Sequence, residues 1–101
     1  MEKRKPAFDL TAFKAVCGDP ERLAITTTAL RTAAELGFGR NEIAAAIRSM
    51  QPAHFVKSMT SYWDHRRWQD VYHVPWAEVV LYVKFTDDVV TEFTVLSFKE
   101  R

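Results

Sequence analysis

Within residues 57–72, KSMTSYWDHRRWQDVY, the chain sets two tryptophans and two tyrosines among two arginines, a lysine, a histidine and two aspartates. Aromatic faces stack on unpaired bases, and arginines contact phosphates, so this composition suits a surface for single-stranded nucleic acid. A second group follows in VVLYVKFT, where Tyr82 and Lys84 are two residues apart and share one face of any strand. A phenol beside an ammonium can move a proton or hold a developing negative charge. Each residue also has a plainer reading. A strand lysine is ordinarily solvated, a lone tyrosine packs across strands, and a charged hairpin tip keeps a sheet edge from aggregating.

Other chemistries find little support. His65 next to Asp64 is poor spacing for joint metal ligation, and there is neither HExxH nor a cysteine pair. No glycine-rich phosphate loop is present. Three histidines permit a Ser–His–acid triad on paper, but nothing singles one out. His65 at a hairpin tip reads first as a turn residue and second as a substrate contact; His73 is similar, and His54 beside Pro52 is a surface or packing residue.

The elements that must position these residues change character midway. In DLTAFKAVCG, Asp9 is the expected cap, Leu10, Phe13, Val16 and Cys17 share a face, and Gly18 supplies a left-handed stop. Glu21 to Ile25 reads as a short extended link. TTTALRTAAELG starts from Thr26 or Thr27 and ends at Gly37. In RNEIAAAIRSMQP, Asn41 is the expected cap, Ile43, Ala46, Ile47 and Met50 follow helical spacing, and Pro52 forbids continuation.

From about residue 55, HFVKSMTSYW, RWQDVYHV, VVLYVKFT and VTEFTVLSF are rich in β-branched and aromatic residues. Turns are expected near Trp63–Arg67 and at Asp87–Asp88, and the short links favour antiparallel pairing. Helices followed by strands predict an α+β fold, N-terminal helices packed on a mainly antiparallel sheet, in one domain over residues 1–101. Val79, Leu81, Val83 and Phe85 should face the helices. Lys99 shares parity with Phe93, Val95 and Ser97, so a bulge, or a place beyond the core, must release it. Trp68 and Tyr72 are expected to be structural; Trp63 or Trp76 is the better exposed platform.

The net charge of +1 argues neither for nor against nucleic acid; any binding must come from a local cluster, not the whole surface. One cysteine, Cys17, allows no internal disulfide. With no signal-peptide apolar stretch and no apolar run near the roughly 18–20 residues that span a bilayer, a cytoplasmic protein without membrane contact is expected.

KSMTSYWDHRRWQDVY, VLYVKF and the terminal VLSFKER resemble the MqsR family (motility quorum-sensing regulator toxins), as do MEKRKP and TTTALRTAAELG. The likeness runs over nearly the whole chain. It implies a RelE-like α+β fold and an mRNA interferase of a type II toxin–antitoxin system, with no cofactor. Matched motif by motif, it implies cleavage by Lys57, Gln69, Tyr82 and Lys99. The residues themselves offer Lys84, Arg66, Arg67, His65 and Trp63 as RNA contacts. The partners implied are mRNA and an MqsA-like antitoxin that joins a zinc-binding domain to a helix-turn-helix domain. The chain departs from the family pattern at HVPWAE, where His73 stands in place of an arginine; this bears on substrate preference rather than chemistry.

On that reading the lysines direct charge at phosphate oxygens, and mutual repulsion lowers at least one lysine pKa. Tyr82 donates a proton or orients a hydroxyl, and Gln69 fixes a phosphate or base edge. The rival is a binding module without turnover on the same sheet. A transcriptional regulator is disfavoured, since no recognition helix with basic flanks is apparent.

Overall fold

The computed structural model describes residues 1–101. Strand β1 (Glu2–Lys3) is followed by helices α1 (Leu10–Cys17), α2 (Thr27–Glu35) and α3 (Arg40–Arg48) and a 3-10 turn at Pro52–His54. The chain then forms β2 (Phe55–Thr60), β3 (Trp68–Trp76), β4 (Val79–Asp88) and β5 (Glu92–Glu100). The strands make one antiparallel sheet in the order β1-β2-β3-β4-β5. This is the α+β arrangement expected, with the helices on one face. No helix is long and apolar enough to cross a membrane.

Asp9 caps α1, its carboxylate accepting from Thr11 N at 2.8 Å and Ala12 N at 3.3 Å. Gly18 is not a left-handed stop: its φ is −75°. Glycine is required there because a Cβ would strike the Lys14 carbonyl oxygen and the Arg48 side chain. The following link is extended only in part. Glu21 and Arg22 lie in a turn, and Ile25 makes a parallel bridge to Val95. Thr26 caps α2 by accepting from Ala29 N at 3.2 Å.

Gly37 ends α2 with φ +85°, and the Gly37 and Phe38 N–H groups donate to Ala34 O and Ala33 O, both at 2.9 Å. That pair of bonds is the Schellman closure, which favours glycine at this point. Helix α3 is capped by Gly39, not Asn41, which lies inside the helix. Glu42 settles the start two residues early by accepting from Gly39 N at 2.8 Å.

The core joins Phe13, Val16 and Cys17 of α1, Ile43, Ala46 and Ile47 of α3, and Met50, to the inward residues of the sheet. Leu81, Val83 and Phe85 of β4 are fully buried there, and Val79 packs at the margin. The rings of Phe13 and Phe85 stack at 3.6 Å between centroids. Asp70 is also fully buried on this face. Its carboxylate accepts from Ala7 N and Phe8 N at 3.0–3.1 Å, fastening the segment between β1 and α1 onto the sheet.

Two turns differ from expectation. Asp87 and Asp88 are still in β4, and the turn is Val89–Thr91. Asp88 organises it, accepting from Val90 N at 2.8 Å and Thr91 N at 3.1 Å. The β3–β4 turn at Ala77–Glu78 places Ala77 at φ +51°.

Candidate active site

The helix-free face of the sheet is built by register. In one row Lys57 (β2) pairs with Val71 (β3), Val71 with Lys84 (β4), and Lys84 with Ser97 (β5). In the next row, His73 pairs with Tyr82 and Tyr82 with Lys99. On the other side Met59 pairs with Gln69. Directly paired residues share a face, so Lys57, Gln69, Tyr82, Lys84 and Lys99 all project from this one.

Lys99 arrives there through a bulge. Lys84 pairs with Ser97 but Phe85 with Val95, leaving Leu96 as the extra residue. Phe93 and Val95 point into the core before it and Phe98 after it, so Lys99 is exposed instead of buried. Its Nζ lies 5.2 Å from the Tyr82 ring centroid, a cation over an aromatic face. A second bulge between Phe55 and Lys57 acts similarly in β2. Phe55 packs against the Tyr72 ring, while Lys57 faces outward.

The electrostatics distinguish the three lysines. Lys57 donates to Glu2 Oε2 at 2.8 Å, a partner supplied by β1, and that ammonium holds the Glu2 carboxyl below the usual range. Lys99 has no carboxylate partner. Lys84 also has none and is partly buried. Burial first, then the charge of Lys99, lowers its pKa from the ordinary lysine value. The expected depression is therefore found at Lys84, with desolvation the larger cause and repulsion the smaller. His73, beside Tyr82, is lowered by burial and then by Arg101.

Gln69 opens onto a shallow depression of about 200 Å³ that it lines with Ser61, Asp64, Arg67, Thr86 and Leu96. Lys57, Tyr82 and Lys99 do not line it; they occupy the flatter part of the same face. The depression sits below the β2–β3 loop, where Asp64 N donates to Ser61 Oγ at 2.9 Å and Asp64 Oδ1 accepts from Arg66 N at 3.0 Å. Asp64, not His65, thus holds the turn, and His65 is exposed without a hydrogen bond. Arg66 is exposed beside Asp64, at 3.7 Å. Arg67 is engaged within the chain, its Nη2 3.5 Å from Asp87 Oδ1 and bonded to the Asp87 carbonyl.

Trp63 is 89% exposed and meets Tyr62, also exposed, edge to face at 5.1 Å. Trp76 is not a platform: it packs against Phe38 at the core margin. Tyr72 is buried as expected, and Trp68 is partly covered by Lys3, whose Nζ is 4.1 Å from a ring centroid. His54 closes its own turn, Nδ1 accepting from Gln51 N at 3.0 Å.

Sequence reasoning missed one participant, Glu2, and one structural anchor on the opposite face, Asp70. Glu2 lies in a two-residue strand too short to leave a pattern. Asp70 has the parity of Trp68 and Tyr72, and that parity was sufficient to place it on the helix side. No group of three or more histidine, cysteine, aspartate or glutamate side chains is arranged to hold a metal ion.

Two comparisons bear on this arrangement. Residues 5–100 match the family described as motility quorum-sensing regulator, toxin of MqsA. The chain is similar to the mRNA interferase toxin MqsR of Escherichia coli (strain K12), with 36% identity over 101 residues and complete coverage of both chains. It belongs to the MqsR toxin family.

Proposed function

We propose that the chain is a toxin endoribonuclease that cuts single-stranded mRNA and so arrests translation and growth until an antitoxin neutralises it. The Escherichia coli relative is an mRNA interferase toxin, and the family is described by its antitoxin, MqsA. The observation that carries the reading to specific atoms is the sidedness of the sheet. Lys57, Gln69, Tyr82 and Lys99, contributed by four different strands, project from the face the helices leave open.

The chemistry needs a 2′-hydroxyl in line with the adjacent phosphate, charge to stabilise the phosphorane, and a proton for the departing 5′-oxygen. Lys57 and Lys99 supply ammonium groups to the phosphate oxygens. Gln69, which does not titrate, fixes a phosphate or a base edge next to the depression. Tyr82 offers a hydroxyl between His73 and Lys99. DNA lacks the nucleophile and is inert. The exposed β2–β3 loop offers Trp63 for stacking, with His65 and Arg66 beside it. The antitoxin joins a zinc-binding domain to a helix-turn-helix domain, and any zinc belongs to that partner.

Incubating the purified chain and Lys57→Ala with single-stranded RNA in EDTA tests the reading. Fragments ending in 2′,3′-cyclic or 3′-phosphate from the wild type, absent from the variant, are expected. A folded wild type that leaves RNA intact would remove the nuclease and favour a binding module.

A further inference from the structure

Lys84 occupies the middle of the open face. Directly across β3, its partner is Val71, a fully buried residue whose other neighbour is Lys57. Across β5 it meets Ser97, with Lys99 diagonal to that pair. Tyr82 lies two residues earlier on the same strand and face, about 7 Å away. The lysine that is central, partly buried and unpaired thus stands between an ion-paired lysine, Lys57, and an exposed one, Lys99, and beside a phenol.

We propose that Lys84 is the general base of the reaction, a role outside the set of Lys57, Gln69, Tyr82 and Lys99; the inference rests on the ribonuclease reading above. Neutral Lys84 Nζ takes the proton from the 2′-hydroxyl, and the 2′-oxygen forms a bond to phosphorus. The bond from phosphorus to the 5′-oxygen breaks, its electron pair goes to that oxygen, and the Tyr82 hydroxyl supplies the proton. The products are a 2′,3′-cyclic phosphate and a 5′-hydroxyl. Transfer of the extra proton from Lys84 to the Tyr82 phenolate restores both groups.

The three lysines are suited to different work. Lys57 is ion-paired with Glu2 at 2.8 Å, so its ammonium is already engaged by a carboxylate. Lys99 rests over the Tyr82 ring and remains exposed for phosphate. Lys84 has its charged form disfavoured, by burial and then by Lys99. The other groups on this face do not reverse that bias. His73 is pushed toward its neutral form, Glu2 is taken by Lys57, and Asp64 and Asp88 accept from backbone N–H groups of their own turns. Val71 supplies an apolar floor, and Gln69 and Thr86 are uncharged.

The test is Lys84→Arg, which keeps a cation but cannot release its proton near neutral pH, together with Lys84→Ala supplemented with small primary amines. Wild-type cleavage is expected to rise with pH as Lys84 deprotonates. Lys84→Arg should lose about 100-fold or more in rate and lose that rising limb. It should still bind a 2′-O-methyl RNA, which lacks the nucleophile, within about threefold of wild type, a bound set by the retained charge. Added amines should restore Lys84→Ala, with the rescue depending on amine pKa. A Lys84→Arg variant that keeps the wild-type rate and pH profile would overturn the assignment while leaving the ribonuclease intact. Loss of activity in both variants without rescue by any amine, in folded protein, would also overturn it and leave Lys84 an electrostatic contact. A wild type that cleaves no RNA would remove both readings.

Discussion

Lys57 Nζ stands 2.8 Å from Glu2 Oε2, an ion pair that reaches from the shortest strand of the sheet to the open face. Glu2 pairs directly with Met59, so Lys57 is its diagonal neighbour on the same side. A phosphate oxygen directed at Lys57 would have to compete with this carboxylate.

Glu2→Gln should therefore leave thermal stability essentially unchanged, since the pair is on the surface. RNA binding should tighten, because a competing anion is gone. The slope of log affinity against log salt for a single strand should steepen by about 0.7, the value of one additional phosphate contact. Titration of a 2′-O-methyl RNA at several salt concentrations reads this. An unchanged slope would mean that Lys57 already meets phosphate with Glu2 in place.

Asp70 has a structural charge instead. It is fully buried and accepts three hydrogen bonds from the backbone N–H groups of Ala7 and Phe8. Asp70→Ala should cost about 2–3 kcal/mol, since hydrogen bonds to a charged acceptor are lost and buried donors are left open. Urea denaturation measures the loss. Hydrogen exchange should show the Ala7 and Phe8 amides losing protection before the strands do, as the segment that leads from β1 to α1 is released.

Much of this was legible, and the exceptions share a cause. The alternation through Val79, Leu81, Val83 and Phe85 runs from the core margin into full burial, and the helix-side face follows it. For Lys99 the parity conflict itself called for a bulge or a place beyond the core; the structure has the bulge, at Leu96, and a leucine carries no mark that would have located it. The turn at Ala77–Glu78 lacks the glycine or asparagine that announces such a turn. Asn41 has the chemistry of a cap, but Glu42 reaching back to Gly39 wins the helix start. In the site, shared facing followed from strand parity, whereas the distinct state of Lys84 did not. It comes from burial first and then from the charge of Lys99, which reaches this face only past the bulge at Leu96.

Tyr72 makes stability depend on alkaline pH. Its pKa is pushed up to about 12 from 10, by burial first and then by the charges of Asp70 and Asp9. Between those values the unfolded chain loses the phenolic proton and the folded chain keeps it. The contribution is complete below pH 10 and is lost as pH rises through about 12. Urea midpoints for Tyr72→Phe, which cannot ionise, should fall less steeply than wild type across that interval. Parallel curves would assign the alkaline loss to other groups.

Trp63 offers the cleanest separation of binding from chemistry. At 89% exposure it contributes no core contact, and its neighbour Tyr62 is exposed as well. Trp63→Ala should leave the urea midpoint in place. If the ring stacks on a base, affinity for a 2′-O-methyl RNA should fall by about 1–3 kcal/mol. The cleavage rate at saturating RNA should hold, because the loop lies beyond Gln69 and away from the row of Lys57 and Lys84. A loss of saturating rate with unchanged affinity would instead give the loop a part in aligning the scissile phosphate. Unchanged affinity and unchanged rate would leave the tryptophan outside the RNA path, with phosphate contacts alone holding the strand.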